Sequence, residues 1–224
     1  MSDAQSLLVK MRRPLAAVAL GGMLVMSLQG CVAVLGGAAL AGTFAATDRR
    51  TLGAQTEDKG IVVKGESRIP GVVANGSHVN VTAFNRKVLL SGEVPDEASK
   101  AAAEREVKAI ENVDTVYNEL AIEPASGFSG RSSDALITSK VLASLVDDKT
   151  LYSSAFKITT ERGIVYMMGR VTQREGQRGA AIASGVSGVK KVVTLYEYIT
   201  EQELADYQRK PASDNAATGT QPSN

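Results

Sequence analysis

The sequence predicts an α+β protein built from two tandem αββαβ domains, each a three-stranded mixed sheet packed by two helices. The first observation is an internal repeat, because residues 79–94 (VNVTAFNRKVLLSGEV) align with residues 156–171 (FKITTERGIVYMMGRV) without a gap. The second is the alternation of apolar and polar residues at the start of both segments, which is typical of half-buried strands. The third is a helical spacing of apolar residues around each segment. Repetition on this scale favours two units of one architecture.

Each repeated segment is predicted to be a β-hairpin. Two runs of strand-forming residues are separated by a short turn, Asn85–Arg86 in the first copy and Arg162–Gly163 in the second. The alignment also places Thr82 opposite Thr159. We therefore expect both turns and both threonines to occupy equivalent places in the two domains.

A helix and a third strand are expected after each hairpin. The spacing i, i+4, i+7 predicts these helices. It is shown by Ala103, Val107 and Ile110 in the first unit and by Gly179, Ala183 and Val186 in the second. The third strands are expected within residues 113–122 and 189–198.

A further helix is expected to open each unit, over residues 58–69 and 134–146. In the first of these, Gly60, Gly65 and Pro70 are expected to interrupt the helix, because Gly and Pro are the two poorest helix formers. The sequence therefore predicts a less regular opening helix in the first domain.

The opening helix of the second unit has a distinct apolar side. Asp134 suits the N-cap position, and Ile137, Val141, Leu142 and Leu145 cover an arc of about 140° at 100° per residue. That arc is predicted to seal the helix onto its sheet.

These elements divide the chain into a first domain (58–122), a linker (123–133), a second domain (134–199) and a tail (200–224). The linker, EPASGFSGRSS, is expected to be a flexible connection because of its Pro, Gly and Ser content, although Phe128 suggests that part of it packs. In the tail, Glu201–Arg209 is compatible with a polar helix, and disorder is expected from about residue 211.

Composition and charge exclude several classes of protein. The 224 residues carry a formal net charge of +1, which argues against a general nucleic-acid binder. The first domain has 8 Lys/Arg against 10 Asp/Glu, and the second has 9 against 6, so their net charges are −2 and +3. A single Cys excludes an intramolecular disulfide.

The amino terminus has the pattern of a secretory signal. Basic residues precede an apolar run over residues 15–28, with translation starting at Met1 or Met11. The run ends in Leu-Gln-Gly-Cys, which resembles a bacterial lipobox. We therefore expect residues 1–30 to be a signal peptide, Cys31 to carry acyl chains, and residues 31–57 to form the lipidated N-terminus and its tether.

Two alternatives to a lipobox stay open at this point. Cys31 could be an ordinary buried thiol, or the apolar residues through Ala46 could form an uncleaved membrane helix of about 20 residues. Gly36, Gly37 and Gly42 argue against the helix, because each costs about 1 kcal/mol of helix stability.

Catalytic chemistry has little support in the sequence. His78 is the sole histidine, which excludes Cys/His catalysis and zinc sites built from several such residues. No Gly-rich phosphate loop of the GxxxxGK[ST] type occurs. We expect no enzyme activity, no catalytic residue, no metal and no cofactor.

The order of these elements resembles the BON-domain family. The likeness rests on the lipobox, on two αββαβ units, on a glycine in the second strand of each (Gly92, Gly169) and on the Ser187–Val189 turn. This resemblance implies a lipid-anchored protein on the periplasmic face of the outer membrane, as Val32 after the Cys also suggests. It further implies binding of anionic phospholipids such as phosphatidylglycerol or cardiolipin through the second domain, in support of outer-membrane integrity.

A lipid-binding face can also be derived from the second opening helix itself. Apolar residues beyond those needed for the core, together with lysines for phosphate, have the layout of an interfacial membrane contact. The predicted residues are Leu136, Ser139, Lys140, Ala143, Val146 and Lys149. In the alternative interpretation, Leu136 and Val146 pack against the first domain or Phe128.

A second function stays open as well. The repeat could form the interface of an envelope adaptor that docks a protein or peptidoglycan partner without recognising lipid. The exposed sheet edge of the acidic first domain would be its natural docking surface.

Overall fold

The computed structural model describes residues 48–209 and contains two αββαβ domains followed by a short helix. The predicted signal peptide, Cys31 and the tail beyond residue 209 lie outside the described residues. The helices are α1 (Leu52–Arg68), α2 (Glu97–Lys108), α3 (Phe128–Asp147), α4 (Gln173–Ser184) and α5 (Glu201–Arg209). The strands are β1 (His78–Phe84), β2 (Lys87–Val94), β3 (Thr115–Asn118), β4 (Ala121–Ile122), β5 (Phe156–Glu161), β6 (Ile164–Val171) and β7 (Lys191–Tyr198).

Helix α1 is longer and more regular than the sequence suggests. It begins after Thr51, whose hydroxyl accepts the N–H of Ala54, and it continues through both of its expected glycine interruptions. Gly65 lies on the buried side, where an added Cβ would come within 3.1 Å of Val81. The expectation that the two glycines interrupt the helix was therefore wrong, whereas Pro70 lies in the short 3-10 turn (Ile69–Gly71) that follows the end of the helix at Arg68.

Each sheet combines an antiparallel hairpin with a parallel strand, as predicted. In the first domain, β1 pairs antiparallel with β2, and β3 and β4 pair parallel with β2. In the second, the order is β5-β6-β7 with the same directions. The single third strand expected in the first domain is split, because Leu120 turns into the core between its two parts.

Helix α3 corrects two of the sequence predictions. It begins at Phe128 after Gly127, so half of the predicted flexible linker belongs to the helix. The remaining connection is fixed by Ser126, whose hydroxyl donates to the buried carboxylate of Glu93. Asp134 is not the N-cap, because it lies almost two turns inside the helix.

Asp134 instead supports the hairpin turn of its own domain. Its carboxylate accepts the N–H groups of Arg162 and Gly163, both at 2.8 Å. In the first domain, Asp58 does the same for the N–H groups of the Asn85–Arg86 turn, at 2.7 and 2.8 Å. Residues 85, 86, 162 and 163 all have positive φ angles. In each domain, therefore, one aspartate of the opening helix accepts hydrogen bonds from the two backbone N–H groups of the hairpin turn.

The two sheets pack against each other through the faces that their helices leave uncovered. A shared apolar cluster joins Phe84 and Leu89 of the first domain to Tyr166 and Met168 of the second. The alternate strand residues, such as Val88, pack against the helices instead. The layers are therefore helix, sheet, sheet and helix.

This interface has approximate two-fold symmetry. The hydroxyls of Thr82 and Thr159, which align in the repeat, lie 3.3 Å apart. Each hairpin turn reaches beyond its own domain: Asn85 donates to Glu197 of the second domain at 2.7 Å, and Arg162 pairs with Glu123, which directly follows β4 of the first. Equivalent surfaces of the two repeats thus face each other.

The segment before α1 links both domains. Arg49 donates to both carboxylate oxygens of Glu175 in α4, at 2.7 and 2.8 Å. Arg50 donates to Asp58 in α1 at 2.7 Å, and its guanidinium lies 4.2 Å from the centre of the Phe84 ring. Two consecutive arginines therefore bind opposite domains.

Candidate functional site

The second domain holds α3 through a narrow apolar stripe. Ile137, Val141 and Leu145 are buried, as predicted, and they span only about 80° of the helix at 100° per residue. Leu142 was predicted to belong to this stripe, but it is 38% exposed. The correction follows from geometry, because Leu142 lies about 60° beyond the last buried residue.

The side chains predicted to bind lipid all lie on the exposed side of α3 or just beyond its end. Leu136 is 56% exposed and Val146 is 65% exposed. Ser139, Lys140, Ala143 and Lys149 are exposed as well. Neither the first domain nor Phe128 buries the two apolar side chains, so that alternative interpretation does not hold in the structure.

Two apolar residues of this surface were missed by sequence reasoning. Phe128 is 82% exposed at the start of the helix, and Leu142 adds a second uncovered side chain. Phe128, Ala135 and Leu142 recur every seven residues, which places them along one side of a helix. This spacing is visible in the sequence, but the Gly and Ser content of residues 123–133 predicts a linker there.

The exposed surface extends along the whole of α3. Phe128 and Val146 are 18 residues apart, so they project from the same side of the helix and are separated by about 27 Å along its axis. We call the exposed apolar residues Phe128, Leu136, Leu142 and Val146 the apolar face. Lys140 and Lys149 flank it.

The acidic residue that directly follows α3 already has partners. Asp148 accepts hydrogen bonds from Thr150 and from the guanidinium of Arg178. The Thr150 hydrogen bonds, and then Arg178, lower the pKa of the Asp148 carboxyl below its ordinary value. Lys149 forms no ion pair with another residue of the described chain, so its charge remains available to an anion.

The described residues contain little that could support other chemistry. Between residues 48 and 209 there is no cluster of three His, Cys, Asp or Glu side chains that could hold a metal. His78 lies at the start of β1, with Nδ1 3.4 Å from the buried carboxylate of Glu93. Within the same part of the chain, every helix is too short or too polar to cross a bilayer.

Comparisons with known proteins agree with this architecture. A family model described as the BON domain matches residues 66–124 and again residues 133–198. The chain is 39% identical to the outer membrane lipoprotein DolP of Haemophilus influenzae, over 77% of this chain and 90% of that protein. It is 27% identical to the 21 kDa hemolysin of Actinobacillus pleuropneumoniae, over 68% of this chain and 79% of that protein. It is also 32% identical to the osmotically-inducible protein Y of Escherichia coli, over 51% of this chain and 58% of that protein.

Proposed function

The chain belongs to the BON-domain family as a dual-domain protein of the DolP type, and on that premise we propose that it binds anionic phospholipid through its second domain. It is an outer-membrane lipoprotein, lipid-anchored on the periplasmic side. We assign the anchor to Cys31, with residues 1–30 as the signal peptide and residues 31–57 as the tether. The proposed role is binding and envelope support without catalysis.

The observation that carries this proposal is the exposed apolar face of α3. Four large apolar side chains of one helix remain in contact with solvent, and Phe128 is the most exposed of them. Burying such a side chain fully is worth about 1.5–3 kcal/mol. A helix that exposes this much apolar surface lowers its free energy when it enters the interfacial region of a bilayer.

Charge gives the contact its preference for anionic lipid. Lys140 and Lys149 flank the apolar face, and each lysine near an anionic surface adds about 1 kcal/mol of binding. The second domain carries a net charge of +3, whereas the first carries −2. Anionic membranes therefore attract the second domain in preference to the first.

Because the anchor already holds the protein on the membrane, a weak contact by α3 is enough to keep the second domain on the lipid surface. Once the acyl chains hold the protein on the membrane, the α3 contact becomes intramolecular and its effective concentration rises. We therefore expect weak affinity in solution and stable association on the membrane.

Vesicle flotation tests the proposal directly when the protein lacks the signal peptide and Cys31, so that no acyl chain can hold it on the vesicle. The variant combines Phe128→Glu with Val146→Glu, and the matched control combines Val63→Glu with Leu52→Glu on α1, because these side chains are 65% and 52% exposed. We expect wild type and control to float with phosphatidylglycerol vesicles more than with phosphatidylcholine vesicles. The paired variant should bind phosphatidylglycerol at least tenfold more weakly, since it loses apolar burial and gains repulsion. Equal binding by variant and control would reject the proposal.

An adaptor function is favoured by a different observation, on the first domain. A groove of about 670 Å³ lies between α1 and the end of α2, with the exposed Leu52 on its rim and Glu57 and Glu111 in its walls. Crosslinking in cells distinguishes the two functions. The adaptor would be favoured if an envelope protein is captured by wild type and by the Phe128 and Val146 variant, but is no longer captured when Leu52 is replaced.

A further inference from the structure

A second surface with binding character lies at the junction of the two domains. It is a cleft of about 490 Å³. The first domain contributes Lys100 and Glu119, and the second contributes Arg162, Lys190 and Lys191. None of the residues of the apolar face lines this cleft. Because both domains supply its walls, the cleft exists only when the two sheets are packed together.

The charges of the cleft leave a surplus of positive groups. Two of its acidic residues are already engaged: Glu123 pairs with Arg162, and Glu161 accepts the side-chain N–H of Asn80. Burial also raises the pKa of the Glu161 carboxyl above its ordinary value.

Lys100, Lys190 and Lys191 form no ion pair with any residue between 48 and 209. The cleft therefore contains four basic side chains, Lys100, Arg162, Lys190 and Lys191, against the three carboxylates of Glu119, Glu123 and Glu161, and the pairing of Arg162 with Glu123 leaves three lysines against two carboxylates.

A second hollow continues the cleft towards α3. It has a volume of about 420 Å³ and shares Arg162 and Lys190 with the first. Its other wall includes Gly130 and Ile137 of α3. The positive cleft thus leads to the helix that carries the apolar face.

We propose that this cleft binds the phosphate group of an anionic ligand, with Lys100, Lys190 and Lys191 supplying the charge. Ammonium groups bind phosphate oxygens as point charges, and a cleft lined by one sign of charge concentrates ions of the other sign. The inference rests on the proposed function, because a phospholipid headgroup carries such a phosphate close to α3. A soluble phosphate ester offers the same chemistry.

In this proposal the first domain also contributes to phosphate binding. Lys100 belongs to α2, so the phosphate site is composite and needs both domains. The apolar face belongs to the second domain alone. Loss of the first-domain lysine is therefore expected to weaken phosphate binding while leaving the apolar contact of α3 unchanged.

The test uses full-length protein purified in a non-ionic detergent. Amide shifts of Gly163 and Lys190 are followed by NMR during titration with inorganic phosphate, with glycerol 1-phosphate and, separately, with phosphatidylglycerol or phosphatidylcholine vesicles. The cleft variant combines Lys100→Ala, Lys190→Ala and Lys191→Ala. The charge-matched control combines Lys59→Ala, Lys64→Ala and Arg105→Ala, all exposed basic residues of α1 and α2.

We expect saturable shifts in wild type and control, and at least tenfold weaker binding in the cleft variant. Shifts with the soluble phosphates identify a soluble ester as sufficient, and shifts with phosphatidylglycerol alone identify a lipid headgroup; both support the site. Absence of shifts with all anionic probes, or equal weakening in the control, overturns it.

The two proposals fail independently in this design. If wild type floats with phosphatidylglycerol vesicles but shows no cleft shifts, the cleft is rejected and the α3 contact stands. If soluble phosphate shifts the cleft amides but vesicles are not bound, the α3 contact is rejected and the cleft stands.

Discussion

Replacing Arg49 with Ala should strongly destabilise the second domain, although Arg49 lies outside that domain in the sequence. The guanidinium is 4% exposed and the Glu175 carboxylate is 1% exposed. The same guanidinium donates to the carbonyl of Arg170 at 2.7 Å. The substitution would leave a buried carboxylate without its counter-ion, which costs about 3–5 kcal/mol.

This magnitude predicts a clear shift in thermal unfolding. For a domain pair of this size, each kcal/mol lowers Tm by about 2–4 °C, so we expect a decrease of about 6–20 °C. The matched control is Arg174→Ala, on the helix α4 that carries Glu175. Arg174 is 56% exposed and pairs with Glu201 at 3.5 Å. An exposed pair of that kind contributes about 0–1 kcal/mol. Circular dichroism during heating and in urea measures both variants.

A second substitution makes the test specific to the buried charge. Glu175 also closes the capping box of α4 by accepting the N–H of Thr172 at 2.9 Å. Gln can fill that capping role without a charge. The double variant Arg49→Ala with Glu175→Gln should therefore be more stable than Arg49→Ala alone. A double variant that is less stable, or an Arg49→Ala loss no larger than that of Arg174→Ala, would refute the reasoning.

The dependence on pH has a definite sign. Burial of the Glu175 carboxyl raises its pKa, but the hydrogen bonds from Arg49 and Thr172 outweigh this effect and hold the pKa below its ordinary value of 4.5. A carboxyl with a depressed folded-state pKa stabilises the protein above its unfolded pKa, and this stability is lost as the pH falls through the folded value. The difference between wild type and Arg49→Ala should therefore shrink as the pH falls, because protonation of Glu175 removes the charge that Arg49 balances.

Two further predictions concern the turn and the anchor. Asp134→Ala should cost about 1–3 kcal/mol in urea unfolding, because it leaves two turn N–H groups without their acceptor; Asp58→Ala should cost at least as much, since Asp58 also pairs with Arg50. A loss below about 0.5 kcal/mol for either would contradict the shared role of the two aspartates. Cys31→Ser should leave an unprocessed precursor that takes up no labelled palmitate; normal processing and labelling would reject acylation at this residue.

The repeated pattern in the sequence predicts the two domains, because hairpins and flanking helices are local features. The packing of the two sheets was not predicted. The sequence feature that indicates this packing is the uninterrupted apolar run of β6, Ile164–Met168. Strands that are covered on both faces lose the alternation of polar and apolar residues. A partner for the second face cannot be identified from the strand alone, because it comes from the other repeat.

The exposed apolar face of α3 was predicted in part, and its binding of lipid stays a prediction. Leu136 and Val146 were identified because they exceed what the helix core requires, and the structure leaves both exposed. Phe128 was placed in the linker, because its Gly and Ser neighbours have low helix propensity. Once residues 134–147 form a helix, adding turns at its start costs little, since nucleation is the expensive step. Context along the chain therefore overrides the local composition.

The most direct test of membrane binding by α3 is the depth of one side chain on a vesicle. Cys31 is expected to be acylated, so Val146→Cys and Val63→Cys each introduce a single reactive thiol for an environment-sensitive fluorophore. The two positions are equally exposed, at 65%. On phosphatidylglycerol vesicles, the label at position 146 should shift to the blue and resist aqueous quenchers, while the label at position 63 should do neither. Equal spectra and equal quenching at the two positions would contradict the account.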